Sequence, residues 1–569
     1  MIYKPTLSQK QIIDNANGHF AVRACPGSGK TFTMAMKTLN DIENWKDDHN
    51  GIALLSFTNV AQEEFAKQVN EIIPSKSIHY PHYLGTLDSF INRYIFFQFS
   101  YLLNINSGSI KMIGNPYGNP YLEYASAKLS LRLIYSVGGE LSLSPKEAQS
   151  VKQPLVDAAK KAKASLIKQN KYTQSDANYF SLQIMKKYPE VVDCIAARFP
   201  IIYVDEGQDT TPVHWEILRL LSSSSQNSSF GIIGDPDQSI YAWNGAKPEL
   251  FINYADEMKE KGKLFELNES RRSSQLICNF YYPMSTLEIR PNAINESVAH
   301  SKVKPEAVYY DRNNVREIAD IVDDFKSKHS DSLILSRSND LIDKIYSSDN
   351  DNERLKTANP WRADSQFAYE MLKAKYELDN KEYRKSLLRA EEVIFSLEKQ
   401  YDRTFFLEKY SITSVQWFEM IEDNLRKMPS TLNNTIGRWS EEVNMSKSKL
   451  GIFTAIDFEP KNRSSLADYK ATRIADFFNK EDSTSAPIIQ TIHSVKGATT
   501  NSVLLIMNSR HTNHIIRALT NKPALNESEQ SLDEKRMIYV AITRARLNIV
   551  LCAPDNLMKK LNAALAAIS

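Results

Sequence analysis

The sequence predicts an α/β protein with two parallel-sheet cores, each interrupted by a long, mainly helical insertion. Its 569 residues exceed the roughly 250 to 300 at which one hydrophobic core stops growing, so several packed domains are expected. Short β-branched and aliphatic runs bounded by polar turns recur at residues 21–24, 52–57, 201–205 and 230–234, each followed by a helix-compatible stretch. That alternation is the signature of a parallel sheet, whose strands need crossover connections. A second set of runs at 307–310, 333–336, 488–492, 503–507 and 547–551, with a helix over 315–326, predicts a second core. Between the strands, residues 96–198 and 339–485 are rich in Leu, Lys, Glu and Ala at helical spacing and poor in strand signals, which predicts the insertions. The run SSSSQNSS at 222–229 reads as a surface loop.

Composition narrows the function classes. With 70 Lys and Arg against 68 Asp and Glu, the chain lacks the global basic excess of a passive nucleic-acid coat, so any such contact must be local. Its four cysteines, Cys25, Cys194, Cys278 and Cys552, are widely spaced without a C-x-x-C pair, against a zinc knuckle, an iron–sulfur cluster or a disulfide framework. No stretch approaches the roughly 20 apolar residues of a membrane span, and MIYKPTLSQKQ lacks a leader pattern. The expectation is a cytoplasmic chain without membrane contact.

The chemistry begins at AVRACPGSGKT. Here Ala24, Cys25, Pro26, Gly27, Ser28, Gly29, Lys30 and Thr31 follow an apolar run and precede a helix-compatible segment, with Ala24 where a P-loop usually has Gly. Gly27 and Gly29 let successive backbone N–H groups turn inward onto phosphates, Lys30 reaches the β- and γ-phosphates, and the Thr31 hydroxyl is placed to hold Mg²⁺. Cys25 reads as a packed thiol more readily than as a redox switch. Downstream, the apolar strand of IIYVDEGQDTT delivers Asp205 and Glu206 to its carboxyl end, where open α/β sheets bind ligands. Two adjacent carboxylates there divide the work: Asp205 on Mg²⁺, Glu206 on the water that attacks the γ-phosphate. A third strand leads into GDPDQSIYAWNGA, where Gln238 is positioned to sense the γ-phosphate. Tyr241 and Trp243 are two aromatics in a polar loop with no regular apolar face, which suits base stacking better than core packing. ATP and Mg²⁺ are the expected ligands, and single-stranded or tailed duplex DNA the expected partner.

Taken in order, these motifs resemble the UvrD, Rep and PcrA group of superfamily 1 DNA helicases. TLSQKQ is similar to that group's Q motif, with Gln11 as the reader of the adenine edge. LLSFTNVAQEEF and GTLDSF resemble its motifs Ia and Ib, implying that Phe57, Thr58, Asn59, Thr86 and Ser89 lie near DNA. ELNESRRSS and MIYVAITRAR resemble motifs IV and VI, which supply the arginines Arg272 and Arg544 to the γ-phosphate. QTIHSVKG resembles motif V, implying Thr491 and His493 at DNA and Gly497 at the nucleotide. The resemblance implies two RecA-like cores, 1A (1–95 and 199–275) and 2A (276–354 and 486–569), with helical insertions 1B (96–198) and 2B (355–485). It also implies 3′-to-5′ movement on one strand, driven by opening and closing of an ATP cleft.

Several positions depart from that group's pattern. Ser270 and Arg271 stand where it has Asn-Tyr, so an Arg271 guanidinium would replace the tyrosine that stacks on adenine; Asp88 replaces a frequent His, Asn244 an Arg and Thr499 a Glu. No segment resembles a nuclease domain. GTLDSFINRYI and TIHSVKGATT are similar to the helicase-like subunits encoded beside OLD-family nucleases, as in the Gabija anti-phage system. That likeness implies either a helicase of DNA repair or phage defence, or a DNA-activated ATPase acting as the sensor subunit of a separate nuclease.

Overall fold

The structure, a computed structural model, describes residues 4–57, 79–105, 110–113, 133–143, 153–311, 314, 316–337, 366–398, 403–459, 470–483, 489–520 and 529–566. The chain divides into two compact units, residues 1–342 with 489–569, and residues 343–488.

The first unit holds two all-parallel sheets. Strands β1 (His19–Ala24), β2 (Ile52–Ser56), β3 (Tyr83–Thr86), β4 (Ile201–Val204), β5 (Ser229–Gly234) and β6 (Leu264–Leu267) form the first, in the order β6-β1-β5-β4-β2-β3. Strands β7 (Glu306–Tyr310), β8 (Ser332–Ser336), β9 (Ile489–Thr491), β10 (Thr500–Ile506) and β11 (Ala545–Pro554) form the second, in the order β7-β11-β10-β8-β9. Their strands read as near-continuous apolar runs because both faces of a parallel sheet are covered. Phe20, Val22, Leu54, Tyr203 and Ile233 pack with Met34 and Leu39 on one face of the first sheet. The alternate residues Ala21, Leu55, Ile202, Val204 and Ile232 pack with Phe90, Ile217, Leu218 and Phe251 on the other. Leu335, Val503, Leu505, Ile549 and Leu551 make the corresponding core of the second sheet with Ile515, Ile538 and Tyr539.

Helix α1 (Leu7–Asn15) precedes β1, and α2 (Lys30–Glu43) follows it; α3 (Pro212–Ser222) follows β4, and α4 (Gln275–Tyr281) follows β6. Helices α5 (Ser509–Leu519) and α6 (Glu529–Ile542) connect β10 to β11. The second unit is helical among its described residues, apart from an isolated bridge between Thr435 and Arg473. Its core gathers Met371, Leu372, Trp417, Ile421, Trp439 and Phe453. There the Trp417 indole N–H donates to Glu391 Oε1 at 2.7 Å, and Arg403 grips the same carboxylate at 2.6 and 2.7 Å, so a charge beside the core is paired at each oxygen.

The structure adds to the sequence reading in three places. β3 and β6 lie outside the expected strand set: both are short edge strands of mixed polarity, which periodicity alone does not separate from loop. Within residues 96–198, expected to be mainly helical, Leu133–Tyr135 and Leu141–Leu143 form an antiparallel hairpin and Lys111–Met112 pairs in parallel with Lys171–Tyr172. The hairpin turns on Gly139, at φ 92°, and is held by the Tyr135 ring stacked on Tyr179 at 4.3 Å. The helix expected over 315–326 spans Arg316–Lys328.

Candidate nucleotide site and the aromatic path beside it

The loop between β1 and α2 curls because Gly27 and Gly29 adopt left-handed backbone, at φ 76° and 77°. At Gly27 the close approach is decisive: a Cβ there would lie 2.5 Å from Arg272 Cβ and 2.8 Å from Ser270 Oγ. The loop is clamped from the chain that follows β6. Ser270 Oγ donates to the Pro26 carbonyl at 3.0 Å, Arg271 N–H to the Gly27 carbonyl at 2.9 Å, and Cys25 N–H to the Leu267 carbonyl at 2.8 Å. Ser28 Oγ donates to the Cys25 carbonyl at 2.8 Å, and Cys25 itself is buried beside Ala24 with burial pushing its thiol up, which leaves it an inert packed group.

At the carboxyl end of β4, Thr31 Oγ1 donates to Asp205 Oδ2 at 3.0 Å, and Glu206 follows in left-handed backbone at φ 55°. A β-carbon-bearing residue rarely adopts that conformation, so the chain there is strained, as it often is at functional sites. The Glu206 carboxylate accepts from Gln208 Nε2; Gln208 Oε1 in turn accepts from Asp235 N–H at 3.0 Å, and Gln238 Nε2 donates to Asp235 Oδ2 at 2.7 Å. From the second sheet, Arg544 reaches back: its Nη2 donates to Gln238 Oε1 at 3.2 Å and its Nε to the Val540 carbonyl at 2.9 Å. Arg272 Nη1 donates to the Thr543 carbonyl at 3.0 Å. One cavity is therefore lined by Gly27, Gly29, Lys30 and Thr31 with Glu206, Gln238, Arg272, Lys496, Gly497 and Arg544.

The charges of this cavity are unbalanced. Burial, and then the neighbouring Glu206, push Asp205 up to about 7. Burial acts the same way on Glu206, but Lys30, Lys496 and Arg544 outweigh it and hold that carboxyl below its usual range. Burial and the charge of Arg272 pull Arg544 down to about 9, as expected where cations crowd a site that an anion would complete. The donor set suits Mg²⁺: a hydroxyl and one carboxylate oxygen, both hard and already adjacent, leave positions for water and phosphate oxygens. Among the described residues no cluster of three or more His, Cys, Asp or Glu offers a denser metal cage.

Two nucleotide-site expectations change. Gln11 points to solvent from α1. It is Gln9 that is buried, and its Nε2 donates to the Ser28 carbonyl at 2.9 Å while its Oε1 accepts from Thr6 N–H at 2.9 Å. Helix periodicity decides this, since two positions along a helix turn the side chain to the opposite flank. A signal is present in the sequence as a capping box, Thr6-x-x-Gln9. Arg271 is tied by its Nη2 to the Lys4 carbonyl at 2.8 Å and does not line the cavity. Replacing Gln9 with Ala should weaken nucleotide affinity and lower stability by about 1 kcal/mol through the lost cap, whereas Gln11→Ala should change neither. Nucleotide titration and thermal unfolding of the two variants check this.

Lys496, Asp209, Asp235 and Gln208 are participants that sequence reasoning missed. Lys496 is mostly buried, ion-paired with Asp209 at 2.5 Å, and sits 4.6 Å from the centre of the Tyr241 ring. It thus touches both the phosphate cavity and the aromatic path. That path runs from Tyr241 to Trp243, ring centres 6.2 Å apart, and from Trp243 to His493 at 6.3 Å; Trp243 is 36% exposed. Thr491 immediately precedes the short turn that carries His493, and its carbonyl accepts from Ser494 Oγ at 2.8 Å. Across the first sheet, Thr86 caps the following helix through Ser89, and Phe57 packs edge-on against His214. Asp88 is paired there with His214 Nε2 at 3.0 Å and Asn178 Nδ2 at 2.9 Å. Asn244 and Thr499 are exposed. Thr58 and Asn59 lie outside the described residues.

A phosphate-cradling loop, paired acids at a strand end and two arginines from beyond the first sheet define a P-loop nucleotide-binding protein with two α/β cores. The family model of the UvrD/REP helicase N-terminal domain matches residues 6–111 and 120–259, and the chain is UvrD/Rep/PcrA-like. It is 36% identical over 107 residues to an ATP-dependent helicase/nuclease component of Natranaerobius thermophilus, covering 18% of this chain and 8% of that protein. It is 22% identical over 268 residues to a probable DNA helicase II homolog of Mycoplasma capricolum, covering 44% of this chain and 36% of the relative. An ATP-dependent DNA helicase PcrA of Staphylococcus aureus is 22% identical over 286 residues, covering 48% of this chain and 38% of the relative. The matched stretches therefore span well under half the length of these relatives.

Proposed function

We propose that this protein is an ATP-dependent DNA helicase that moves on single-stranded DNA by coupling ATP hydrolysis to closure of the cleft between its two cores. The observation that carries the reading is Arg544: from the end of α6 it lines the same cavity as the β1–α2 loop and hydrogen-bonds Gln238, whose segment continues into Tyr241 and Trp243. Hydrolysis needs charge stabilised on the transferring phosphoryl group at the moment of attack. Arg272 and Arg544 supply that charge, Lys30 and the inward backbone of the loop hold the phosphates, and Glu206 takes the proton of the attacking water. Thr31 and Asp205 would hold Mg²⁺, which neutralises phosphate charge when bound. Lys496, between Asp209 and the Tyr241 ring, ties the state of the phosphate cavity to the surface on which bases would stack. In this reading residues 1–95 and 199–275 form core 1A and residues 276–354 and 486–569 core 2A. Residues 96–198 and 355–485 are the insertions 1B and 2B, and travel is 3′ to 5′.

A second reading, a DNA-activated ATPase serving as sensor subunit of an OLD-type nuclease in phage defence, draws on the anchored Arg271 and the exposed Asn244, which remove two of the related group's contacts. Both readings predict ATP hydrolysis stimulated about tenfold or more by single-stranded DNA and abolished in Lys30→Ala. Trp243→Ala should weaken DNA binding by the about 1–3 kcal/mol that one base–aromatic stack contributes while leaving hydrolysis without DNA intact. Strand separation on a 3′-tailed duplex by the protein alone separates the two. Efficient unwinding supports the helicase, and strong DNA-stimulated hydrolysis without unwinding supports the sensor. Hydrolysis indifferent to DNA would count against both.

A further inference from the structure

The hairpin of Leu133–Tyr135 and Leu141–Leu143 has two faces with different neighbours. Leu133 and Tyr135 are buried on one face, and Ile134 between them, half-buried, takes the other, as strand alternation requires. The buried face is firmly anchored. Tyr135 stacks on Tyr179 at 4.3 Å with the ring planes 5° apart, and Lys163 Nζ sits 5.4 Å from the Tyr135 ring centre. Lys163 is in turn paired with Asp176 at 2.9 Å, both side chains almost wholly out of water. Val137 and Leu141 pack on the core cluster that Leu55, Ile202 and Phe90 form with the first sheet. Ile134, by contrast, meets the loop that carries the aromatic path. Gly245 ends the short turn Ala242–Asn244 in left-handed backbone, at φ 87°. Outside its chain neighbours, the atoms nearest to a Cβ built there are Ile134 Cδ1 at 3.5 Å and Cγ2 at 3.6 Å, followed by Thr211 Cγ2 at 3.9 Å. Those are van der Waals distances, so the isoleucine closes over the backbone two residues after Trp243. At the other end of the turn, Tyr241 is backed by Lys496, 4.6 Å from its ring centre. Within it, Asn244 N–H donates to the Tyr241 carbonyl at 2.8 Å and Gly245 N–H to the Ala242 carbonyl at 2.9 Å.

We propose, resting on the reading of Tyr241 and Trp243 as a base-stacking surface, that this hairpin is a buttress for the stacking loop and that Ile134 is the positioning residue that holds Trp243 ready for a base. The hairpin is tied to the helix Gln174–Lys187 through Tyr179, so it can hold a short surface turn against the push of an incoming strand. An indole fixed before the strand arrives loses less freedom on stacking, and more of the stack then appears as affinity. Ile134 acts through the turn and not on DNA itself, which makes its effect conditional on Trp243.

Two measurements on the full chain test this. In the first, the six tryptophans are replaced by fluorotryptophan and followed by fluorine NMR without DNA, the Trp243 resonance being assigned by its loss in Trp243→Phe. Ile134→Ala should shift or broaden that resonance and leave the other tryptophans in place, which also shows that the variant is folded. In the second, the affinity for a single-stranded oligonucleotide is measured by fluorescence anisotropy in a double-mutant cycle. Ile134→Ala should raise Kd about three- to tenfold, part of what losing a whole stack would cause, and by less than about twofold when Trp243 is already alanine. Ile134→Val, which lacks only the Cδ1 atom nearest the turn, should show both changes at smaller amplitude, and it carries the comparison alone if alanine unfolds the chain. A Trp243 resonance that stays put, an unchanged Kd, or an equal loss of affinity in both backgrounds overturns the proposal. If Trp243→Ala binds DNA as tightly as wild type, the stacking reading itself is lost and the positioning role with it, whereas an unmoved resonance in Ile134→Ala removes the buttress alone.

Discussion

Glu206→Gln is expected to cut ATP turnover by roughly 10²- to 10⁴-fold, the range that general-base catalysis contributes, while leaving nucleotide affinity nearly unchanged. The carboxylate is fitted for the role by its surroundings. Lys30, Lys496 and Arg544 hold it ionised despite burial, Gln208 orients it, and the left-handed backbone at Glu206 turns it into the cavity beside Lys30. Glutamine preserves shape and the hydrogen bond to Gln208 through its carbonyl oxygen, so the loss isolates proton acceptance. Single-turnover hydrolysis beside equilibrium binding of a fluorescent ATP analogue makes the measurement. A variant that binds normally and hydrolyses within about threefold of wild type would remove Glu206 from the chemistry and move attention to Asp209 or a water held by Gln238.

Arg544→Ala is expected to be as severe or worse, with turnover reduced about 10³- to 10⁵-fold, because an arginine that meets the γ-phosphate acts chiefly in the transition state. The side chain is 1% exposed and is held by carbonyl oxygens of Val540 and Ala498 and by Gln238, so it is positioned before any ligand arrives. Arg544→Lys retains the charge but loses the fork that reaches Gln238 and the main chain together, and should recover only a small part of the rate. Circular dichroism and Tm separate this effect from unfolding. If Arg544→Ala stays folded, binds nucleotide and loses less than about tenfold in turnover, the second core does not complete the phosphoryl-transfer site and hydrolysis is not coupled to cleft closure through Arg544. Arg272→Ala serves as the internal comparison, since both guanidinium groups line the cavity and Arg544 hydrogen-bonds Gln238 as well.

The class of fold and the chemical inventory of the site are legible in the chain before any folding is considered. Apolar runs such as ALLS and IIYV become central strands of a parallel sheet because burial on both faces demands continuous hydrophobicity, a property visible without coordinates. Lys30, Thr31, Asp205, Glu206 and Gln238 can be named in advance because they lie beside strand ends, within a few residues of the runs that place them. Arg272 and Arg544 can be named only through resemblance, since nothing local distinguishes a cavity arginine from a surface one.

Which side chains converge is a matter of tertiary packing. The capping box with Thr6 marks Gln9 in the sequence, but it is docking of α1 against the β1–α2 loop that makes Gln9 a partner of Ser28 and leaves Gln11 in water. Lys496 gains its place from contacts with Asp209 and Tyr241, which lie 287 and 255 residues away (496 − 209 and 496 − 241). The hairpin of Leu133–Tyr135 and Leu141–Leu143 rests on a stack with Tyr179. Local sequence sets backbone preference and the reach of each side chain. Which distant charge neutralises which, and at what distance, is settled by packing, because burial is shared among elements that meet only in the folded chain.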